Sequence, residues 1–241
     1  MLRWRPGCRR MTDLVEEKYL RKVRSFVRRE GRMTDGQQRA LDEQWPRYGL
    51  DVPAAPLDLD QVFGRSAPVT FEIGFGMGDY LHNRVTTEPD RDFIGVEVHR
   101  PGIGRLLNRT QAAGAGNLRV AAHDAVEVLR DWLPAESLDE VVIQFPDPWH
   151  KKRHHKRRLI QPDFAQLVVS RLKPDGELWL ATDWAPYAEH MLEVLNAAPG
   201  LRSLSAEGGY VPRPSTRIRT KFELRGERLG HAVFDLAYRR A

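Results

Sequence analysis

The chain has 241 residues, 41% hydrophobic and 29% charged, with a formal net charge of +5. That balance suits a folded protein with a sizeable core, and no apolar run approaches the roughly 18 residues that a bilayer span requires. Residues 1–10 are basic but lack the apolar stretch of a secretory signal, and the lone Cys8 leaves no internal disulfide, as expected in a reducing cytoplasm.

Charge is uneven along the chain. Residues 1–32 carry eleven Lys or Arg against four Asp or Glu, a net of +7, which leaves −2 for residues 33–241. This arm, 1–34, shows little periodicity and reads as a basic extension suited to phosphate contacts. Residues 35–68 read as a helix and a Pro-rich linker: Thr34 or Asp35 caps a helix running to about Tyr48, and Gly49 ends it. From Val69 the pattern alternates. Strand-like segments at 69–75, 93–98, 118–122, 141–145 and 178–182 each precede a helical one, at 79–88, 103–113, 126–133, 164–172 and 187–195. Five such units predict an α/β fold with a doubly wound, mostly parallel sheet. The tail from Leu201 has strand-like pieces and suits a closing antiparallel hairpin.

Three features of this pattern carry chemistry. The first strand runs into Gly74, Gly76 and Gly78, where glycine lets backbone amides approach a ligand closely. The spacing is GxGxG rather than the dinucleotide GxGxxG, and Glu72 precedes it, so a pyrophosphate is disfavoured. A ligand with a cationic amino acid group, such as S-adenosylmethionine, fits better. Glu97 closes the second strand, 23 residues after Gly74, where a carboxylate can accept ribose hydroxyls, and Asp124 closes the third, within reach of an adenine amino group. An NAD-dependent oxidoreductase is thereby disfavoured, and no Walker motif indicates nucleoside triphosphate hydrolysis.

The second feature is Phe145-Pro146-Asp147-Pro148-Trp149, which leads into residues 151–158 with six formal positive charges. Flanking prolines restrict the backbone at Asp147, and a fixed carboxylate beside a cationic platform points to chemistry on nucleic acid. His150, His154 and His155 do not form a metal motif: Lys151 stands where HExxH carries its glutamate, and the surrounding cations repel a divalent ion. The third feature is Asp183, at the end of the fifth strand, either on the same rim as the other acids or capping the next helix. The charged stretch 217–226 has no role that local physics assigns.

Taken together, these residues resemble the bacterial tRNA (guanine-N(7))-methyltransferase family, over nearly the whole chain. The resemblance rests on Arg24-Ser25-Phe26-Val27-Arg28-Arg29, the glycine turn, Gly95-Val96-Glu97-Val98-His99, His123-Asp124-Ala125, the Pro-Asp-Pro-Trp segment, Ala181-Thr182-Asp183-Trp184, Thr220-Lys221-Phe222-Glu223 and Leu229-Gly230-His231. It implies a Rossmann-like class I S-adenosylmethionine methyltransferase domain over 69–241 that methylates N(7) of a variable-loop guanine in tRNA, with no metal and no obligate protein partner. It further implies cofactor contacts at Glu72, Glu97, Asp124 and Asp147, with Asp147 catalytic, beside the glycines Gly74, Gly76 and Gly78. Substrate contacts fall on Lys151, Asp183 and Thr220, Lys221, Phe222 and Glu223, and tRNA contacts on Arg153, His154, His155, Lys156, Arg157 and Arg158. Two mild departures from the family pattern are Gln144 and the first ten residues, which look like an extension, with Met11 an alternative start. Another RNA methyltransferase, acting on rRNA, and a non-catalytic RNA-binding module are the alternatives.

Overall fold

In the computed structural model, which describes residues 25–26, 31–219, 223 and 232–241, the first helix, α1 (Asp35–Tyr48), starts where Thr34 and Gln37 form a capping box. The Thr34 hydroxyl accepts the Gln37 amide at 3.3 Å, and the Gln37 side chain accepts the Thr34 amide at 2.9 Å, satisfying two otherwise orphaned donors. The chain then runs β1 (Gly49–Leu50), α2 (Leu59–Phe63), β2 (Val69–Ile73), α3 (Asp79–Thr87), β3 (Asp92–Val96), α4 (Arg100–Ala112), β4 (Leu118–Ala121), α5 (Ala125–Glu127), β5 (Leu138–Gln144), α6 (Pro162–Arg171), β6 (Leu172–Thr182), α7 (Ala185–Asn196), β7 (Leu201–Ser203) and β8 (Phe234–Arg240).

The strands form one sheet in the order β1-β4-β3-β2-β5-β6-β8-β7, parallel up to β6, with β8 antiparallel to both β6 and β7. The expected doubly wound sheet and antiparallel close are therefore present. The chain winds from β2 to one side and returns through β5 to the other, so the carboxyl ends of β2 and β5 flank the switch point where such sheets bind ligands. All five residues of β2 and of β3 are buried, as strands covered on both faces must be. One core cluster, with Phe71, Ile94, Ile143, Val168 and Tyr187, packs against α6 and α7; the other, with Leu41, Tyr48, Phe93 and Leu106, packs against α1, α3 and α4.

Four boundaries differ from expectation. Residues 35–68 are built into the sheet domain, because α1 packs on α4 and Gly49–Leu50 pairs with β4. The Pro-rich stretch holds α2, capped by Asp58. The helix expected over 126–133 is one α-turn followed by a π-helical turn, Val128–Trp132. Strand β6 begins at Leu172, because Asp175 takes a positive φ of 62° and lets the chain bulge without leaving the ladder. Among the described residues no helix is long and apolar enough to cross a membrane.

Candidate active site at the carboxyl ends of the strands

A cavity of about 620 Å³ lies over the switch point, lined by Gly74, Gly76, Glu97 and Asp147 among the expected residues and by Ser25, Phe26, His99, His123 and Gln144 besides. Its floor is the turn between β2 and α3. Gly76 sits at φ +56°, a conformation that side chains rarely adopt. A Cβ on Gly102 would stand 1.9 Å from the Gly76 carbonyl, so α4 closes against the turn only because that position is glycine. Nothing in the local sequence marked Gly102; the requirement exists only across the helix–turn contact.

Glu97 is fixed entirely by backbone. Its Oε2 accepts the Gly76 amide at 2.8 Å, and its Oε1 accepts the Val98 and His99 amides at 2.6 and 2.9 Å. Three N–H donors hold the carboxylate at the cavity wall in one orientation, leaving its other lone pairs for a ligand. Glu72 differs. It is 3% exposed, does not line the cavity, and its Oε2 has no protein hydrogen-bond partner. Burial, together with the charges of Glu140 and Glu97 and against that of Arg84, pushes its carboxyl up to about 8. Arg84, also buried, is committed elsewhere: it donates to Glu140 at 2.9 Å, to the Tyr80 hydroxyl at 2.7 Å, and to Glu88. Gly78 is not at the cavity; it is the αL residue before α3, pressed on Leu106. Asp124 caps α5 through the Val126 amide at 3.0 Å and faces a neighbouring recess of about 430 Å³ shared with Lys156, Arg157 and Arg158. His123, at the cavity edge, stacks on Trp132 at 5.1 Å and pairs with Glu127 at 2.9 Å.

Asp147 is exposed and unencumbered, but its backbone is not. Phe145 and Trp149, two residues to either side, take φ +51° and +49°, conformations that cost aromatic residues on the order of 1–3 kcal/mol each. Surrounding contacts hold them there. The Phe145 amide donates to the Ala181 carbonyl at 2.8 Å, and the Trp149 indole donates to the Ser25 carbonyl at 3.1 Å. Arg157 lies 5.1 Å over the Trp149 ring. Arg158 donates to the Pro148 carbonyl at 3.0 Å and lies 4.8 Å over the Tyr187 ring.

Arg158 stands apart from the other expected tRNA contacts in where its side chain lies. It is 4% exposed, with its guanidinium spent beneath the Pro-Asp-Pro-Trp loop, just past the short 3-10 helix Lys152–Arg157. Lys151, Lys152, Arg153 and Lys156 are exposed, and His154, His155 and Arg157 half-buried. Desolvation and then the cations Arg153, Arg157, Lys151 and Lys156 hold the His154 imidazole below its usual range. Among the described residues no group of three or more His, Cys, Asp or Glu gathers as a metal site.

Asp183 is exposed on the same rim and caps nothing, since the N-cap of α7 is Trp184. Thr220, Lys221 and Phe222 lie outside the described residues, as does most of the N-terminal arm. Glu223 is 4% exposed, and Arg217 holds it at 2.7 Å while clasping Asp235 of β8 with two bonds of 2.8 Å. The Arg217 guanidinium is also 5.9 Å from the Phe145 ring centre, which ties the C-terminal segment to the strained residue before Asp147. Local sequence showed only a mixed-charge stretch there; the clasp needs β8.

Comparison with known proteins agrees with this geometry. A family model described as "Putative methyltransferase" matches residues 66–236. A tRNA (guanine-N(7)-)-methyltransferase of Ectopseudomonas mendocina is 60% identical over 229 residues, covering 95% of this chain and 96% of that protein. One from Yersinia pestis is 56% identical over 221 residues, covering 92% of each. Among solved structures, the 16S rRNA methyltransferase KamB superposes with a TM-score of 0.53 at 14% identity, over 81% of this chain and 99% of that one. The antibiotic-resistance methyltransferase Kmr gives 0.52 at 17%, over 81% and 98%. At such low identity these two speak for the fold alone. The sequence relatives go further, and the chain belongs to the bacterial tRNA (guanine-N(7)-)-methyltransferase family.

Proposed function

We propose that the protein transfers the methyl group of S-adenosylmethionine to the N7 nitrogen of a variable-loop guanine in tRNA. The observation that carries this reading is the pairing of two unlike carboxylates across one cavity: Glu97, held by three backbone amides under a glycine turn, and Asp147, exposed between two prolines beside an open cationic surface. The residues fit the methyl donor. Glu97 suits ribose hydroxyls, Gly74 and Gly76 bring backbone close, and the buried, unpartnered Glu72 oxygen lies below the turn, where an ammonium group would draw it into its ionised form. Asp124, facing the neighbouring recess, is the carboxylate for the adenine amino group, and Gly78 serves by seating α3.

S-adenosylmethionine supplies an activated methyl on a sulfonium. Guanine N7 has a lone pair and no proton, so no residue has to act as a general base. The N7–C bond forms as the C–S bond breaks, the sulfur becomes a neutral thioether, and the positive charge passes to the purine. Asp147 faces that charge as it develops, and with Asp183 it can accept the guanine N1–H and amino protons. Positioning dominates such an in-line displacement. Lys151, Arg153, Lys156 and the half-buried Arg157, His154 and His155 face the tRNA backbone, and Glu223, fixed by Arg217, completes the substrate side with Thr220, Lys221 and Phe222.

The test is methyl transfer from labelled S-adenosylmethionine to an unmodified tRNA transcript, followed by digestion to nucleosides. Label in 7-methylguanosine at the variable loop is expected. Label in another nucleoside, or tRNA binding with no transfer, refutes the reading.

A further inference from the structure

Trp184 is one of four large hydrophobic side chains left exposed among the described residues, at 38%. The others are accounted for or remote from the substrate side: Val52 lies in the linker, Met77 belongs to the glycine turn, and Tyr210 packs on Phe234 at 4.9 Å. The indoles of Trp45, Trp149 and Trp179 donate to Asp51, the Ser25 carbonyl and Glu177. Trp184 does not do the helix-capping work of its position either, since its side chain makes no cap bond. Its one ring contact among the described residues is His150, edge to face at 4.4 Å. That contact joins the loop bearing Asp147 and Lys151 to the loop bearing Asp183.

We infer that Trp184, braced by His150, is the platform on which the target purine stacks. The inference rests on the methyl-transfer reading above. An exposed indole held by a neighbouring ring offers stacking area at little entropic cost, and each base stacked on an aromatic side chain contributes substantially to binding. Its place is also right for charge. Exposed Lys151 and Lys152 take the phosphates, Asp147 and Asp183 take the polar edge, and the flat faces of the base still need a partner. The purine becomes cationic as methyl transfer proceeds, and a cation over an indole gains attraction that the neutral base lacks. Stacking here therefore strengthens toward the transition state, and its loss lowers kcat as well as raising KM for tRNA.

The experiment compares the wild-type protein with Trp184→Phe and Trp184→Leu, on two transcripts: unmodified tRNA and the same tRNA with an abasic site at the target guanosine. Thermal unfolding and S-adenosylmethionine affinity serve as controls and stay at wild-type values, because the side chain is exposed. Leu, apolar but without a π face, lowers kcat/KM roughly ten- to a hundredfold, and Phe recovers most of it. The Leu variant binds guanine-bearing tRNA more weakly but binds abasic tRNA as the wild-type protein does. Equal losses on both transcripts assign Trp184 to another part of the tRNA and overturn the inference. So does a Leu variant that matches wild type, provided the wild-type protein methylates the transcript. A wild-type protein that methylates no transcript overturns the parent reading together with this one.

Discussion

The two halves of the rim hold their carboxylates in opposite ways. On the side of β2 to β4, Glu97 is locked by three amides and Glu72 is sealed behind the glycine turn. On the side of β5 and β6, Asp147 and Asp183 are open to solvent, and at Asp147 the constraint sits in the backbone instead. A small donor molecule that enters a cavity is best met by groups oriented before it arrives, at the cost of desolvation. A large polyanion brings its own surroundings, so its partners stay hydrated until it docks, and only their direction has to be set. The difference teaches that preorganisation can reside in a side chain's hydrogen bonds or in the φ angles beside it.

The largest effect expected from breaking this contrast is at Asp147. Replacement by Ala lowers turnover about a hundredfold or more, while tRNA affinity moves by less than about threefold. Near-normal turnover in single-turnover assays would refute a charge-stabilising role. At Glu97 the opposite separation is expected. Glu97→Gln loses charge-assisted bonds and weakens S-adenosylmethionine binding by roughly tenfold or more in calorimetry, with tRNA binding unchanged. If both ligands weaken equally, the two halves do not work independently.

A smaller contrast lies within the basic run. Replacing exposed Lys151, Lys152, Arg153 and Lys156 with Ala flattens the salt dependence of tRNA binding, by roughly 0.7–0.9 in log–log slope for each phosphate left without its cation. Arg158→Ala leaves that slope alone and lowers unfolding stability by about 1–3 kcal/mol, because it strands the Pro148 carbonyl and empties the space over Tyr187. A changed slope in the Arg158 variant would return that residue to the tRNA surface.

The mildest prediction concerns Glu72. Its folded-state value of about 8 lies above the ordinary 4.5, so between those values the native state holds a proton that the unfolded chain has released. The associated stability is fully present below about 4.5 and is lost as pH rises to about 8. Without ligand, Glu72→Gln removes that slope, and urea unfolding from about pH 5 to about pH 9 measures it. The idea fails if the wild-type protein shows the same pH dependence as the variant.

Much of this architecture was legible in the chain. Alternation of strand-like and helical segments announced the parallel sheet, because strands buried on both faces must be apolar throughout and the helices between them amphipathic. Glycine at 74 and 76 and the acids Glu97 and Asp147 at strand ends do line one cavity, since turn geometry and strand polarity are local properties. Boundaries went astray where tertiary pairing overrode local signals, as at Asp175, whose turn-like neighbourhood became a bulge inside β6. The extension of the sheet by Gly49 and Leu50 was equally invisible, being fixed by the partner β4.

Sequence by itself determined which residues could be chemically active, because residue type, proline flanks and charge density are properties of the chain. Only the tertiary structure decided how each one stands. It turned Arg158 inward while its neighbours stayed exposed, hid Glu72 behind the cavity floor, demanded glycine at 102, and paired Arg217 with Asp235 and Glu223. These outcomes depend on which surfaces meet across elements far apart in sequence, and burial and through-space charge belong to that meeting.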